Sequence, residues 1–403
     1  MDLDLLRELA APNDTKIVLA VIDGLGGLPH PATGRSELET ADTPHLDRLA
    51  AESSCGLTIP VSIGVTPGSG PGHLALFGYD PLTYKVGRGV LESLGIDFDL
   101  QPGDVAARGN FCTLDAEDKI VDRRAGRIPT DESAEICKQL AQIELPGVDL
   151  FVEPVRDYRF VLVLRASDRK KLSDQVRDTD PQKEGVKPLS AKAKGPGARS
   201  TATLVNAFVD QARELLKGRE TANGITLRGF AQQPDLPNMS EVLGLRAAAI
   251  AMYPMYRGLA KLIGMTILDA GESFLDGVES LKTHWDDFDF FFIHYKPADA
   301  AGEDGDFHAK VTSLEAFDKS VPDLRALGAD VLMIAGDHST PAGLAAHSWH
   351  PVPFVLSAAN TRPDDARNFD ERSCQRGSLG TFPASEVMPL AMAHAGRLAK
   401  YGA

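Results

Sequence analysis

Lys16–Ile22 reads KIVLAVI and stops at Asp23-Gly24. An apolar run without alternation suits a strand buried on both faces, as in a parallel sheet covered by helices. The pattern recurs. Asp289–His294 (DFFFIH) leads into Lys296-Pro297-Ala298-Asp299, and Asp330–Ala335 (DVLMIA) into Gly336-Asp337-His338. Ala247–Met252 and Pro353–Leu356 are similar runs. Helical patterns lie between them. Thr43-Pro44 predicts a helix start, with Thr as N-cap, Pro at the first helical position and HLDRLAAE following. Leu314–Leu327 predicts another helix, kinked or truly begun at Pro322. The fold class is therefore α/β with a mostly parallel sheet. In open α/β sheets ligands bind at the carboxyl ends of the strands. The polar residues after each run thus predict one site assembled from distant segments.

The middle of the chain differs. Gly103–Phe230 has shorter apolar runs, more charge and several Pro/Gly breaks. Residues 178–200 (DTDPQKEGVKPLSAKAKGPGARS) predict a mobile or extended loop, being polar and poor in large apolar side chains. Arg159–Leu164 (RFVLVL) and Ile225–Phe230 predict strands of a second domain. The expected organisation is a discontinuous core, 1–97 and 239–403, interrupted by a smaller inserted α/β (α+β) domain, 98–238. No internal repeat is visible.

Bulk properties exclude several classes. The chain has 403 residues, 43% hydrophobic and 25% charged, with net charge −15 and a pI near 5.1. A protein this acidic is not a general binder of nucleic acid or anionic membrane. Cys55, Cys112, Cys137 and Cys374 form no CxxC pair and read as reduced, mostly structural thiols. Met1–Thr15 reads as an amphipathic helix; it lacks the basic start and apolar run of a signal peptide. No apolar stretch reaches the roughly 18 residues that a bilayer span needs. A cytoplasmic location is the default expectation.

Four clusters carry chemistry: Asp23; the turn Thr66–His73 (TPGSGPGH); Asp299 with Glu303; and Asp337-His338 with His347. Carboxylate and imidazole ligands together suit Mn²⁺, Mg²⁺ or Zn²⁺. Two such ions, roughly 3.5–4 Å apart, can clamp both oxygens of an in-line phosphoryl displacement. Ser69 lies between Gly68 and Gly70, small residues that let backbone amides approach a phosphate, and a helix over His73–Phe77 would aim its positive end at the anion. A serine hydroxyl needs activation, which metal coordination can supply. Its surroundings are not the GxSxG elbow of a Ser-His-Asp hydrolase. Each cluster has a plainer reading: a strand-end turn, a flexible loop, a helix cap or a solvated acidic run. Together, in this order at strand ends, they point to one site.

VIDGLGG, ETADTPHLDRLA, TPGSGPGHLALFGYDP, DFFFIHYKPADAAGEDGDFHAK and AGDHSTP…HSWHPVP resemble the alkaline phosphatase superfamily. Within it they resemble the archaeal-type cofactor-independent phosphoglycerate mutases. The resemblance covers nearly the whole chain and is strongest over about 16–100 and 285–358. It implies an alkaline-phosphatase-like core in which Asp23, Ser69, Asp337 and His338 hold one ion. Asp299, Glu303 and His347 would hold the other. Ser69 would carry the phosphoryl group while 3-phosphoglycerate and 2-phosphoglycerate interconvert. The inserted domain would bind the small phosphorylated carboxylate and hide phosphoserine from water. RGNF…DRRAGR resembles the family's substrate-binding stretch and implicates Arg108, Asn110, Asp122 and Arg123. Arg228 has the same chemistry, since guanidinium matches phosphate and carboxylate in bidentate fashion. Arg257 follows a core strand and His73 follows the serine turn; both are further candidates. Two positions depart from the family pattern. Glu303 stands where a DxxGH motif has histidine, which should favour Mn²⁺ or Mg²⁺ over Zn²⁺. Gly70 stands where related sequences often carry an acidic residue, a loss that His73 could offset. A phosphatase, a phosphodiesterase or another mutase on the same core stays open, as does a non-catalytic metal-binding protein.

Overall fold

The computed structural model describes residues 2–167 and 171–402. They form two compact units. One contains the chain up to Lys85, Leu236–Met252 and everything from Ala260; the other is Val86–Asp235 with Tyr253–Leu259.

The first unit is built on an eight-stranded sheet. Its order is Gly380–Pro383, Ser54–Ile59, Val352–Ala358, Val331–Ala335, Ile17–Ile22, Phe290–Tyr295, Ala247–Ile250 and Thr266–Leu268. Every neighbouring pair is parallel except those of Val352–Ala358, which runs opposite to both neighbours. The KIVLAVI run forms the central strand, and all six residues of Ile17–Ile22 are buried. Covering a strand on both faces removes any need for alternation, which is why the run is uniformly apolar. Register then does the chemical work. Ile17 pairs with Phe290 on one side and Val331 on the other. The three strands therefore end level, and Asp23, Lys296 and Asp337 emerge side by side. The Asp23 amide donates to the Tyr295 carbonyl at 2.9 Å, which carries the alignment one residue past the strand.

Local signals hold in part. Pro44 opens the helix Pro44–Ala51, but Thr43 makes no side-chain cap bond. Asp318 caps that helix instead, accepting from the Leu46 amide at 2.7 Å and the His45 amide at 3.3 Å. A carboxylate there also suits the positive helix end. The predicted Leu314–Leu327 helix is two helices, Phe307–Asp318 and Val321–Ala326, with Pro322 in the first turn of the second. Proline has no N–H to donate and is tolerated only there.

The second unit is α+β. Its antiparallel sheet runs Ile120–Asp122, Val105–Leu114, Arg159–Ala166, Val148–Arg156, and Gly224–Ala231 also pairs with Val105–Leu114. Thr130–Leu140 and Arg199–Leu216 are helices of this unit, and Phe111, Phe160, Phe208 and Leu216 share its buried core. Segment 178–200 is extended, with its backbone tied down. Gly185 donates to the Ile120 carbonyl at 2.8 Å, Leu189 to Thr179 at 2.8 Å, and Ala191 to the Asn206 side chain at 2.8 Å. All four cysteines are buried and unbridged. Among the described residues no helix is long and apolar enough to cross a membrane.

Candidate active site

Ser69 is the first residue of the helix Ser69–Leu76, with Gly68 at the cap. The helix thus starts at the serine itself, four residues before the start expected from sequence. Close packing explains Gly72. A Cβ on Gly72 would fall 2.1 Å from the Asp337 carbonyl oxygen. Gly72→Ala is expected to push Asp337 out of place, costing about 1–3 kcal/mol of stability and weakening metal binding. Thermal unfolding alongside metal titration checks both.

The seven metal-ligand candidates converge. Ser69 Oγ lies 3.2 Å from His338 Nε2. The same nitrogen lies 3.1 Å from an Asp337 oxygen and 3.3 Å from an Asp23 oxygen. His347 Nε2 lies 3.5 Å from both Asp299 and Glu303. Asp23, Asp337 and His338 bring ligand atoms within 4.8 Å of one another, and so do Asp299, His338 and His347. His338 belongs to both groups, and its ring stacks on His347 at 3.7 Å.

Asp23, Asp299 and Asp337 are all buried. Burying three carboxylates together is unfavourable unless cations neutralise them. Lys296 meets part of the demand, with Nζ 3.0 Å from Asp23 and in contact with Asp299. Burial raises Asp299, and the Asp23 charge adds to that. Burial would raise Asp23 too, but Lys296 and two histidines hold it well below the usual carboxylate range. Glu303 is held down at about 2 by its hydrogen bond to His347. His347 is raised to about 9: burial opposes its charge, but Glu303 and Asp299 overcome that. Crowded carboxylates beside imidazoles form a donor set that fits divalent cations.

Sequence reasoning passed over three residues here. Thr340 Oγ1 lies 2.7 Å from Asp299 Oδ1 and 2.9 Å from His338 Nδ1. Donating to the carboxylate, it accepts the Nδ1 proton and leaves Nε2 free as a ligand atom. His294 Nε2 lies 3.1 Å from Asp23, and burial lowers this histidine to about 4. Lys296 is the third. Thr340 stands two residues from His338, and Lys296 and His294 stand three and five residues before Asp299, which was the available signal. Thr340→Val is expected to weaken metal binding about 10–100-fold, with Thr340→Ser retaining most of it. Calorimetric metal titration measures this.

Of the other candidates, His73 lies at this site and the rest fall elsewhere. His73 is fully buried. Its Nδ1 lies 2.9 Å from the Ser69 carbonyl and 3.1 Å from Asp337, so it braces both. Arg108, Asn110, Asp122, Arg123, Arg228 and Arg257 all lie in the second unit. Strand register sets Arg108 opposite Arg228. Asp180, from the 178–200 segment, lies 3.2 Å from Arg123 and 4.0 Å from Arg228. Asp122 accepts from the Arg124 amide at 2.7 Å and so shapes that turn. Arg257 reaches Asp97 at 3.4 Å.

A mostly parallel sheet bearing a serine and a carboxylate–imidazole cluster at its carboxyl edge defines an α/β protein with a candidate metal centre. Comparison with known proteins sharpens this. Residues 50–222 match the family model for 2,3-bisphosphoglycerate-independent phosphoglycerate mutase. The chain is 52% identical to a "Probable 2,3-bisphosphoglycerate-independent phosphoglycerate mutase" of Thermus thermophilus and 45% identical to that of Aquifex aeolicus, each match covering 100% of both chains. Among solved structures it superposes on a protein from Pyrococcus horikoshii with TM-score 0.82 at 27% identity, covering 97% of this chain and 100% of that one. The cofactor-independent phosphoglycerate mutase of Thermoplasma acidophilum gives 0.65 at 29% identity, covering 94% and 100%. This chain belongs to the 2,3-bisphosphoglycerate-independent phosphoglycerate mutase family.

Proposed function

We propose that this chain interconverts 3-phosphoglycerate and 2-phosphoglycerate without bisphosphoglycerate, and that Ser69 carries the phosphoryl group between the two hydroxyls. Family membership supports the activity. The observation that carries the mechanism is the position of Ser69 Oγ, 3.2 Å from His338 Nε2 and at a helix start.

Asp23, Ser69, Asp337 and His338 would hold one divalent ion; Asp299, Glu303 and His347 would hold the other. When bound, two divalent ions (Mn²⁺ or Mg²⁺ ahead of Zn²⁺) lower the pKa of the serine hydroxyl and offset negative charge on the phosphoryl oxygens. Ser69 Oγ forms its bond to phosphorus as the bond to the substrate's C3 oxygen breaks. The proton that leaves Oγ is balanced by the one that the freed hydroxyl takes. Glycerate then turns so that its C2 hydroxyl attacks phosphoserine, and Ser69 is regenerated. The amides at the start of Ser69–Leu76 favour an anion at that position throughout. His73 and Thr340 keep Asp337, His338 and Asp299 in place through both transfers.

The inserted segment, 98–238, is the proposed cap. Its role is to exclude water while glycerate turns, because hydrolysis of phosphoserine would make the protein a phosphatase. Arg108, Arg123 and Arg228, with Asn110 and Asp122, are its proposed contacts to a small phosphorylated carboxylate; Arg257 is a further candidate, whereas fully buried His73 acts through Asp337. An acidic chain acting on a diffusible metabolite has no use for nucleic acid or membrane, and we place it in the cytoplasm. Phosphorus NMR of metal-loaded protein with 3-phosphoglycerate tests the reading. Accumulation of 2-phosphoglycerate with little free phosphate is the expected result. Free phosphate alone would make the protein a phosphatase and overturn the mutase reading.

A further inference from the structure

The helix Arg88–Gly95 belongs to the second unit and carries Arg88 and Glu92 one turn apart. Arg88 Nε donates to Glu92 Oε1 at 3.1 Å. Glu92 is fully buried, and its Oε2 has no hydrogen-bond partner among the described residues. The helix packs on Val105–Leu114 and Gly224–Ala231. Its approach is close: a Cβ on Gly89 would fall 2.3 Å from the Ala106 carbonyl oxygen. Strand register places Arg108 opposite Arg228 and Asn110 opposite Arg159. Residues two apart on a strand share a face, so these side chains stand together.

Arg88, Arg108 and Arg159 thus share one helix-borne carboxylate, and Arg228 stands opposite Arg108 across the strand pairing. Burial and the Arg88 charge push Arg108 down to about 9, while Glu92 pulls it back up. Arg159 lies 5.6 Å over the Tyr253 ring. Arg108 Nε and Arg159 Nε have no hydrogen-bond partner among the described residues. Buried polar groups are normally paired, and a buried surplus of guanidinium is stable only with an anion beside it. Such a cluster suits a small oxyanion, and Glu92, hydrogen-bonded to Arg88, also acts through its charge on Arg108 and Arg159.

We propose that Glu92 is the positioning residue of this anion site, anchoring Arg88 and supplying the counter-charge that keeps Arg88, Arg108 and Arg159 converged on one oxyanion of the substrate. The proposal rests on the reading of the second unit as the substrate-binding one. Glu92 acts through the arginines and does not touch the substrate.

A double-mutant cycle tests it. Wild type, Arg88→Ala, Glu92→Ala and the double variant are compared, all metal-loaded, for inorganic phosphate binding by calorimetry and for 3-phosphoglycerate kinetics. Phosphate held in the first unit contributes equally to all four, so only differences are read. Each single change is expected to weaken phosphate binding and raise KM about tenfold, with kcat within about threefold, and the double variant is expected to be no worse than Arg88→Ala. Glu92→Gln, which keeps the volume and an acceptor for Arg88, is expected to recover part of the loss. It also replaces Glu92→Ala in the cycle if the alanine variant does not fold. Additive losses, or unchanged phosphate binding and KM in folded Glu92 variants, would overturn the proposal. If wild type fails to turn over 3-phosphoglycerate while the phosphate cycle is non-additive, the proposed reaction falls and the positioning role stands.

Discussion

Ser69→Ala is expected to lower turnover of 3-phosphoglycerate by at least about 10³-fold while leaving the fold intact, because it deletes the proposed nucleophile outright. The side chain is nearly buried and occupies the first residue of a helix. Alanine fits that volume and favours helix. The one hydroxyl contact among the described residues, to His338 Nε2 at 3.2 Å, involves a histidine that still has Asp337 at 3.1 Å and Asp23 at 3.3 Å. Metal binding should therefore weaken far less than turnover. Circular dichroism and thermal unfolding control for folding. Acid quench of wild type during turnover with labelled substrate should trap phosphoserine, and the variant should trap none. Turnover within tenfold of wild type would remove Ser69 from the mechanism.

Removing divalent cations is expected to abolish turnover and also to destabilise the first unit. Three buried carboxylates with Lys296 as their close lysine partner repel one another when no metal shares the site. Metal that binds only the folded state stabilises it by about 2.7 kcal/mol per site at a hundredfold excess over Kd. For a unit of this size that corresponds to several degrees in Tm, at roughly 2–4 °C per kcal/mol. Chelation should lower Tm accordingly, and adding back Mn²⁺ should restore both Tm and turnover, with Zn²⁺ less effective. Asp299→Asn separates the effects by sign. It removes a carboxylate whose charge is disfavoured by burial and by Asp23, so the metal-free variant should melt higher than metal-free wild type. In metal it should melt lower. A Tm indifferent to chelation would mean that these carboxylates are neutralised by the protein alone.

Much of the candidate site was legible because two simple regularities coincide. KIVLAVI, DFFFIH and DVLMIA are uniformly apolar since both faces of their strands are covered, and a polar residue directly after such a run must lie at the sheet edge. Asp23, Asp299, Asp337 and His338 were visible for that reason, and Ser69 by the glycines around it. The antiparallel direction of Val352–Ala358 was not, because a strand buried on both faces has the same composition either way.

The partners of those residues were legible only in part. Thr43 resembles an N-cap by its neighbours, yet the bonds come from Asp318, some 272 residues away. Lys296 binds Asp23 across 273 residues, and Thr340 binds Asp299 across 41. In the second unit, Arg108 and Arg228 are adjacent through a strand pairing that no spacing reveals, and Glu92 joins them through a helix packed on that pairing. The sequence by itself determined five of the eight strands, the polar residues that follow them and the serine turn, since apolar period and residue chemistry are local properties. Only the tertiary structure decided which atoms meet, which proton His338 gives up and which carboxylate balances which arginine. Those depend on strand register and helix approach, where a shift of one residue turns every side chain to the opposite face.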